Sequence, residues 1–241
     1  MRVAAIVPAA GRGARLKSRI QKPYIKLGDK PILARTLIAL SRNKKITGIY
    51  VSVGKGRLNK ARADIIEKYN IKKVRLVAGG RERGDSVYNA LKALPGDIDY
   101  VLIHDGIRPF VTDTLIGALL KAAGRFSAAI AAVPVKPTLK FAGRDGFIKD
   151  TPPREYFWEA QTPQVFKRGL IEKAYRAARK KNIKATDDSM LVERLGVKPK
   201  IVMGSYSNIK ITTKEDLELA GILLKKFKYQ STNDKIMTNF K

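Results

Sequence analysis

The chain has 241 residues with no cysteine, one histidine and a formal net charge of +28. This inventory excludes disulfide bridges, thiolate metal sites, a cysteine nucleophile and a relay of two histidines. The lysines and arginines are spread along the whole chain, so the charge favours small anionic ligands and leaves a basic nucleic-acid-binding protein as an alternative.

Short apolar runs alternate along the chain with segments of helical periodicity. The predicted strands are residues 3–7, 46–53, 74–77, 100–105, 128–135 and 199–203, and helices are predicted to begin near Pro31, Lys60, Asp85 and Asp113. Several strands are apolar throughout, which is typical of strands covered on both faces. The sequence therefore predicts a three-layer, Rossmann-like α/β sandwich with a mostly parallel sheet.

Residues 136–156 interrupt this alternation. Two short strand-like runs flank GRDG at 143–146, which is a hairpin turn signal, so we expect a protruding β-hairpin arm that packs against another subunit. Residues 1–225, with this arm included, are expected to form a single domain, and the tail at 226–241, with little periodicity, is expected to fray. No apolar stretch approaches the roughly 18 residues of a membrane-spanning helix, so we expect a cytoplasmic protein.

The first predicted strand ends in a glycine-rich turn, PAAGRGARL at 8–16. The third glycine of a dinucleotide-binding fingerprint is replaced by Leu16, which counts against a nicotinamide oxidoreductase. Successive backbone N–H groups of such a turn can still wrap a triphosphate. The cations Arg12, Arg15, Lys17, Arg19 and Lys22 surround it. We interpret the turn as a site for a nucleoside triphosphate, and a solvated basic turn is the alternative.

Two further loops follow predicted strands. GGRERGDS at 79–86 resembles a phosphate-binding loop but has Asp85 in place of the lysine, so Asp85 or Ser86 is expected to be a helix cap instead. HDGIRPF begins with His104, expected to be a buried residue at the strand end, and with Asp105. Asp105 could bind Mg²⁺ or a sugar hydroxyl, or it could cap the next loop.

Two polar stretches lie nearer the C-terminus. Lys210 is predicted in a short strand that precedes a helix with Thr213 as its cap and Asp216 at the third helical position. Residues 186–188, TDD, are predicted to open another helix, where acidic side chains are favoured by the helix dipole.

Taken in order, these motifs resemble the 2-C-methyl-D-erythritol 4-phosphate cytidylyltransferases of the non-mevalonate isoprenoid pathway. The resemblance rests on PAAGRGARL with Lys22 and Tyr24, GGRERGDSV and HDGIRPF, is completed by PVKPTLK, REYFWEAQTPQVF, TDDS and NIKIT, and covers residues 3–225. It implies an enzyme that joins CTP to the phosphate of methylerythritol 4-phosphate and releases pyrophosphate, with Mg²⁺ or another divalent cation. The attacking phosphate oxygen is already ionised, so the chemistry requires alignment and charge neutralisation rather than a general base.

The resemblance also implies roles for matching positions. It places transition-state cations at Arg15, Lys22 and Lys210, and a nucleotide pocket at Ala9, Ala10, Gly11, Gly13, Gly80, Arg83 and Ser86, with Ser86 facing the pyrimidine edge. It places the acceptor at Asp105, Arg108, Thr162 and Thr186, with Thr138 and Arg154 reaching over from the arm of a partner in a homodimer. The metal would be held mainly by the CTP phosphates, with Asp105 as the candidate protein ligand.

Three positions depart from the family pattern. QKPY at 21–24 keeps Lys22 but moves the proline past it, Ile107 replaces a small residue, and Pro137 stands where the family usually has aspartate. These departures bear on the acceptor, so a cytidylyltransferase acting on a polyol phosphate such as ribitol 5-phosphate is an alternative that HDGIRPF also fits. The pair Thr138 and Arg154 favours the isoprenoid enzyme.

Overall fold

The computed structural model of the protein describes residues 1–11 and 22–238, and for Lys22 and residues 228–238 it describes the backbone alone. The strands are β1 (Val3–Pro8), β2 (Lys26–Leu27), β3 (Lys30–Pro31), β4 (Ile46–Val53), β5 (Val74–Ala78), β6 (Tyr100–Ile103), β7 (Ala128–Pro134), β8 (Phe141–Ala142), β9 (Ile148–Asp150), β10 (Trp158–Lys167) and β11 (Lys200–Met203). The α-helices are α1 (Ile32–Arg42), α2 (Leu58–Ala61), α3 (Arg83–Lys92), α4 (Asp113–Phe126), α5 (Arg168–Lys180), α6 (Asp188–Glu193) and α7 (Lys214–Thr238).

Within the described ranges, seven of these strands form one sheet in the order β11-β7-β10-β6-β1-β4-β5. The pairs β1–β4, β1–β6, β4–β5 and β7–β11 are parallel, whereas β10 runs antiparallel to both β6 and β7. The predicted mostly parallel sheet is therefore confirmed.

Apolar side chains cover both faces of the sheet. Along β1, Val3, Ala5 and Val7 pack on one face with α1 and α4, while Ala4 and Ile6 pack on the other with α3, α5 and α6. A strand buried on both faces gains from an apolar side chain at every position, which explains why β1 lacks polar alternation. The three-layer sandwich follows from these two cores.

The sequence did not predict β10, which lies between β6 and β7. Its polar residues hide it from a pattern search, yet Gln161, Thr162 and Gln164 are all buried. The Gln164 side chain donates to Asp187 at 2.7 Å and accepts from the Ser189 N–H at 3.1 Å. The buried amide nitrogen and the buried amide oxygen therefore each have a hydrogen-bond partner.

Helix boundaries differ from the prediction at two places. The helix predicted near Lys60 is α2 followed by a π-helical turn at Arg62–Glu67. Helix α3 begins at Arg83 with Glu82 as its N-cap residue, so neither Asp85 nor Ser86 is the cap. Instead the Asp85 carboxylate accepts from the Glu82 N–H at 3.2 Å, as a residue at the third position of a capping box does.

The predicted hairpin arm is present. Strands β8 and β9 pair antiparallel, and Gly146 adopts a φ of +81° in the turn between them, a conformation that glycine tolerates best. The side chains of Phe141, Phe147 and Ile148 are exposed.

The C-terminal helix α7 starts as predicted and continues further than predicted. Thr213 and Asp216 cap each other's backbone N–H groups at 3.2 and 2.9 Å, which fixes the helix start. The backbone remains helical to Thr238, whereas the sequence predicted a fraying tail from residue 226. None of the helices in the described ranges is both long and apolar enough to cross a membrane.

Candidate active site

A cleft lies where three parallel strands of the sheet end. Ala9 to Gly11 follow β1, Gly79 and Gly80 follow β5, and Asp105 comes two residues after the end of β6. The cleft has a volume of about 310 Å³, and its described lining consists of Pro8, Ala9, Ala10, Gly11, Pro23, Gly80, Arg81, Glu82, Arg83, Ser86, Asp105, Ile107, Lys210 and Thr212. Open α/β sheets bind ligands at this edge, beyond the carboxyl ends of the strands.

The two loops after β1 and β5 approach each other too closely for larger residues. A Cβ atom on Gly79 would lie 2.4 Å from the Ala10 Cβ, and one on Gly80 would lie 2.1 Å from the Asp85 Cβ. Gly79 is therefore required for the backbones of the two loops to form adjacent walls of the cleft, and Gly80 is required for the turn that leads into α3.

Both of these loops are hydrogen-bonded to the end of β4. The Ala9 N–H donates to the Ser52 carbonyl at 2.8 Å, and the Gly79 N–H donates to the Val53 carbonyl at 2.7 Å. The Ser52 hydroxyl also donates to the Ser86 carbonyl at 2.6 Å. The end of β4 thus fixes the separation of the two loops from behind the cleft.

Ser86 is buried at the base of the second loop. Its hydroxyl accepts from the Gly80 N–H at 3.1 Å and donates to the Glu82 carbonyl at 3.1 Å. A hydroxyl has one donor and two acceptor positions, so one acceptor position of Ser86 remains for a donor group on a ligand.

Asp105 is the electrostatic centre of the cleft. Its carboxylate lies 3.0 Å from the Lys210 ammonium, 3.3 Å from the Arg83 Nε and 3.5 Å from the Arg108 Nε. Burial alone would raise the pKa of Asp105, but the three cations hold that pKa well below its usual range. Asp105 is therefore an ionised carboxylate that gathers cations from three separate chain segments.

Arg83 connects this cluster to the helical layer behind it. Its Nη2 donates to the Asp188 carboxylate at 2.7 Å, and Asp188 also accepts the hydroxyl of Tyr175. Burial works to lower the pKa of Arg83, but the charges of Asp188 and Asp105 outweigh it and raise that pKa. Asp188 is fully buried, so Arg83 is held by a carboxylate that has no access to solvent.

A second network holds the backbone on the side of Asp105 away from Arg83. The Thr162 hydroxyl accepts from the Asp105 N–H at 3.0 Å, and Arg108 donates to the Asn208 carbonyl at 2.7 Å. The Asn208 amide in turn donates to the Thr162 carbonyl at 2.8 Å. Burial lowers the pKa of Arg108, against the pull of Asp105.

His104 is fully buried beside this network, as the sequence predicted. Its Nε2 lies 2.9 Å from the Arg108 carbonyl, which can only accept, so Nε2 carries the proton and Nδ1 accepts from the Thr162 hydroxyl at 3.1 Å. Burial lowers the pKa of His104 to about 4. His104 is therefore a neutral structural residue near pH 7.

Comparison with known proteins gives the same family throughout. The family model for 2-C-methyl-D-erythritol 4-phosphate cytidylyltransferase (IspD) matches residues 3–226. The chain belongs to this family. The 2-C-methyl-D-erythritol 4-phosphate cytidylyltransferases of Pelotomaculum thermopropionicum and Desulforamulus reducens are 46% and 47% identical to it, over 93% of this chain and 94% and 96% of theirs.

Solved structures of the family share the fold. The 4-diphosphocytidyl-2C-methyl-D-erythritol synthase of Anaerococcus prevotii superposes with a TM-score of 0.83 at 38% identity, covering 92% of this chain and 96% of that one. The cytidylyltransferase of Thermus thermophilus superposes with a TM-score of 0.77 at 32% identity, covering 93% and 100%. The protein is thus a cytidylyltransferase of the nucleotidyltransferase class with the fold of its family.

The structure brings many of the predicted site residues of this cytidylyltransferase into one cleft. Its lining includes Ala9, Ala10, Gly11, Gly80, Arg83, Ser86, Asp105 and Lys210. Gly13 and Arg15 lie outside the described residues, and only the backbone of Lys22 is described, in a 3₁₀ turn at Lys22–Tyr24.

Other predicted acceptor residues lie away from the lining of this cleft. Arg108 and Thr162 are buried behind Asp105, where they hold its backbone and neighbours. Thr186 lines an adjacent cavity on the other side of Arg83. Thr138 and Arg154 are exposed on the arm, where Arg154 donates to the Lys136 carbonyl at 2.7 Å.

Sequence reasoning missed two residues that hold the site. Asp188 pairs with Arg83 from 105 positions away, and Tyr175 hydrogen-bonds to Asp188. The sequence placed Asp188 among the acidic residues that open a helix, which explains the residue type but does not identify Arg83 as its partner.

Proposed function

We propose that this cleft is where the chain transfers CMP from CTP to 2-C-methyl-D-erythritol 4-phosphate. A phosphate oxygen of the acceptor attacks the α-phosphorus of CTP, a new P–O bond joins the two, and the bond from the α-phosphorus to its bridging oxygen breaks to release pyrophosphate. The observation that supports this most directly is Lys210 beside Asp105 in a cleft walled by two glycine-permitted backbone loops.

The chemistry matches the titratable groups that the cleft contains. No proton has to be removed from the attacking phosphate oxygen, so the step needs positioned cations rather than a base. His104 is buried, bonded on both ring nitrogens, and neutral because burial lowers its pKa to about 4. It therefore serves the structure of the site, whereas Lys210 holds its ammonium group in the cleft beside Asp105.

We assign the charge neutralisation at the α-phosphorus to three cations. The described side chain of Lys210 lies in the cleft, and the assignment of Arg15 and Lys22 rests on their matching positions in the family. Removing one such preorganised contact typically costs about 10²- to 10³-fold in rate.

We assign the nucleotide to the walls formed by the loops after β1 and β5. The backbone N–H groups of glycine-rich turns bind phosphate oxygens, and the remaining acceptor position of Ser86 suits the exocyclic amino group of cytosine. Arg83 borders the same walls and carries a permanent positive charge.

We propose Mg²⁺ as the divalent cofactor, held mainly by the CTP phosphates with Asp105 as its protein ligand. Mg²⁺ is usually bound through one or two carboxylates together with substrate phosphates. Asp105 fits the role of protein ligand, because it is an ionised carboxylate at the cleft. When bound, the cation supplies further neutralisation of phosphate charge.

We propose that the acceptor end of the site is completed by a second copy of the chain. Thr138 and Arg154 lie on the exposed arm and outside the lining of the cleft in their own subunit. An arm with exposed Phe141, Phe147 and Ile148 side chains is suited to burial in a homodimer. We also propose that the protein is cytoplasmic, as expected from the sequence.

Pyrophosphate release tests the reaction. The purified protein is given CTP and Mg²⁺ with methylerythritol 4-phosphate, with ribitol 5-phosphate, or with no acceptor, and each reaction is repeated with ATP and with a chelator. Release only with CTP, metal and methylerythritol 4-phosphate supports the proposal. Release with ribitol 5-phosphate instead overturns the acceptor assignment, and silence in every reaction overturns the function.

A further inference from the structure

A third apolar cluster lies apart from the two cores that pack on the sheet. Its fully or largely buried members are Leu27, Ile32, Phe110, Ile211 and Ala220, and its half-buried members include Ile25, Ile107, Ile209, Leu217, Leu223, Leu224 and Phe227. Four of the half-buried members and Ala220 come from α7, so the C-terminal helix covers the cluster.

Ile32 begins α1, and the remaining members of the cluster come from three segments that also contribute to the cleft. Ile25 and Leu27 follow the turn at Lys22–Tyr24, Ile107 and Phe110 follow Asp105, and Ile209 and Ile211 flank Lys210. The Ile211 N–H donates to the Ile107 carbonyl at 3.0 Å, which ties the second of these segments to the third.

Lys210 alternates with the two isoleucines beside it. The short strand predicted around Lys210 is absent, but Ile209 and Ile211 both pack in the cluster, and Lys210 between them extends to the cleft. The observed contact of Lys210 with Asp105 at 3.0 Å agrees with this direction. The position of the Lys210 ammonium therefore depends on how firmly the cluster holds its neighbours.

Phe227 closes the far side of the cluster. Its ring stacks on the ring of Phe110, with centroids 5.4 Å apart and planes 15° apart. This contact joins α7 to the segment that follows Asp105.

We propose that Phe227 is a positioning residue for the cytidylyltransferase reaction. By stacking on Phe110, it holds the segment from Asp105 to Phe110 and, through the Ile107–Ile211 hydrogen bond, the segment that carries Lys210. The cleft then presents Lys210 and Asp105 at a fixed separation before any substrate binds. This inference rests on the proposed role of Lys210 and extends it to the C-terminal helix.

The test compares full-length variants in the pyrophosphate assay, with kcat expressed per folded molecule. Misplacing reacting groups by about 1 Å can cost about 10²-fold, so a loosened anchor in Phe227→Ala is expected to lower kcat by about three- to tenfold. The KM for CTP should change by less than about twofold, because the nucleotide loops are held by β4 instead. Phe227→Tyr, which keeps the ring, should restore kcat.

Ile222→Ala is the matched control, because Ile222 lies on the same helix with its side chain exposed and outside the cluster. It should leave kcat unchanged. In a Lys210→Ala background, measured with radiolabelled CTP, the effect of Phe227→Ala should shrink to less than about twofold, since residues that act as a unit are not additive.

Three results would overturn the proposal: an unchanged kcat per folded molecule in Phe227→Ala, an equal loss in Ile222→Ala, or a full effect of Phe227→Ala without Lys210. If Phe227→Ala does not fold, Phe227→Leu is measured instead. The same changes in kcat and KM are expected, with a smaller loss of kcat. An inactive wild-type protein would contradict the proposed function, whereas an active wild type with unaffected variants would contradict only the role of Phe227.

Discussion

The cleft and the arm hold their functional side chains in opposite ways. Asp105 is 6% exposed and meets cations from three segments of its own chain, whereas Phe147 on the arm is 74% exposed. The cleft is preorganised because burying a charge requires partners to be in place. The arm has exposed apolar side chains that the proposed homodimer would cover. A single chain thus orders the nucleotide end of the site, and the acceptor end is expected to need two.

Removing Lys210 tests the preorganised region most severely. Lys210→Ala is expected to lower kcat by about 10²- to 10³-fold, because it removes a cation aimed at developing phosphate charge. Steady-state pyrophosphate release measures this effect, and circular dichroism checks the fold. Lys214→Ala is the control, since Lys214 is exposed at the start of α7. Equal activity of the two variants would remove Lys210 from the catalytic group.

The pH dependence of stability tests how the cleft is held together. Burial keeps the pKa of His104 at about 4 in the folded chain, below its ordinary value of 6.5. Between these values the unfolded chain binds a proton that the folded chain does not, so stability rises with pH across this window and is lost as pH falls. The expected loss from pH 7 to pH 4 is about 3 kcal/mol from this group.

Urea unfolding at intervals across that window measures the slope. His104→Gln provides the reference, because it cannot titrate and should show a shallower dependence. Identical slopes in the wild type and the variant would mean that His104 is not buried in the neutral form.

A substitution of Arg154 on the arm tests whether the acceptor site is shared between two chains. Arg154→Ala is expected to raise the KM for methylerythritol 4-phosphate by about tenfold, the size of one lost charged contact, with the KM for CTP little changed. Lys149→Ala, on the same arm, is the control.

Mixing subunits separates a shared site from an indirect effect. When Arg154→Ala and Lys210→Ala proteins are unfolded and refolded together, half of the dimers are mixed, and each mixed dimer has one intact site if the site spans two chains. About a quarter of wild-type activity is then expected at limiting acceptor. Activity no greater than the average of the separate variants would place Arg154 in its own subunit's site.

The smallest expected effect lies where the cleft meets the helical layer. Tyr175→Phe removes the hydroxyl that donates to the buried Asp188, which in turn holds Arg83. We expect a loss of stability of about 1–2 kcal/mol and a rise of about two- to fivefold in the KM for CTP. Tyr88→Phe is the control on the neighbouring helix. A KM for CTP equal to that of the wild type would show that Asp188 holds Arg83 without help.

Local signals in the sequence predicted much of the sheet and part of the site. Strand β4 was predicted at residues 46–53 because a strand that is covered on both faces favours apolar residues along its length. Asp105 was singled out because a polar residue that follows an apolar run marks a strand end, whereas Lys210 was identified only through the resemblance to the family. The turn at Gly146 and the caps of α7 were predicted for similar local reasons.

The features that escaped prediction depend on distant partners. The polar strand β10 is stable in the sheet because Gln164 meets Asp187 and Ser189 from another segment. Thr162, predicted to bind the acceptor, uses its hydroxyl for the Asp105 N–H. Likewise, the stacking of Phe227 on Phe110 stabilises α7 at residue 227, and the periodicity of the helix alone does not predict this contact.

The end of β4 couples the two loops that wall the cleft, although it lies behind them. Consecutive carbonyl groups of Ser52 and Val53 accept from the Ala9 and Gly79 N–H groups at 2.8 and 2.7 Å. The spacing between the loops is therefore held by backbone groups of a single strand. A substitution among the side chains that line the cleft can change its chemistry and leave that spacing in place.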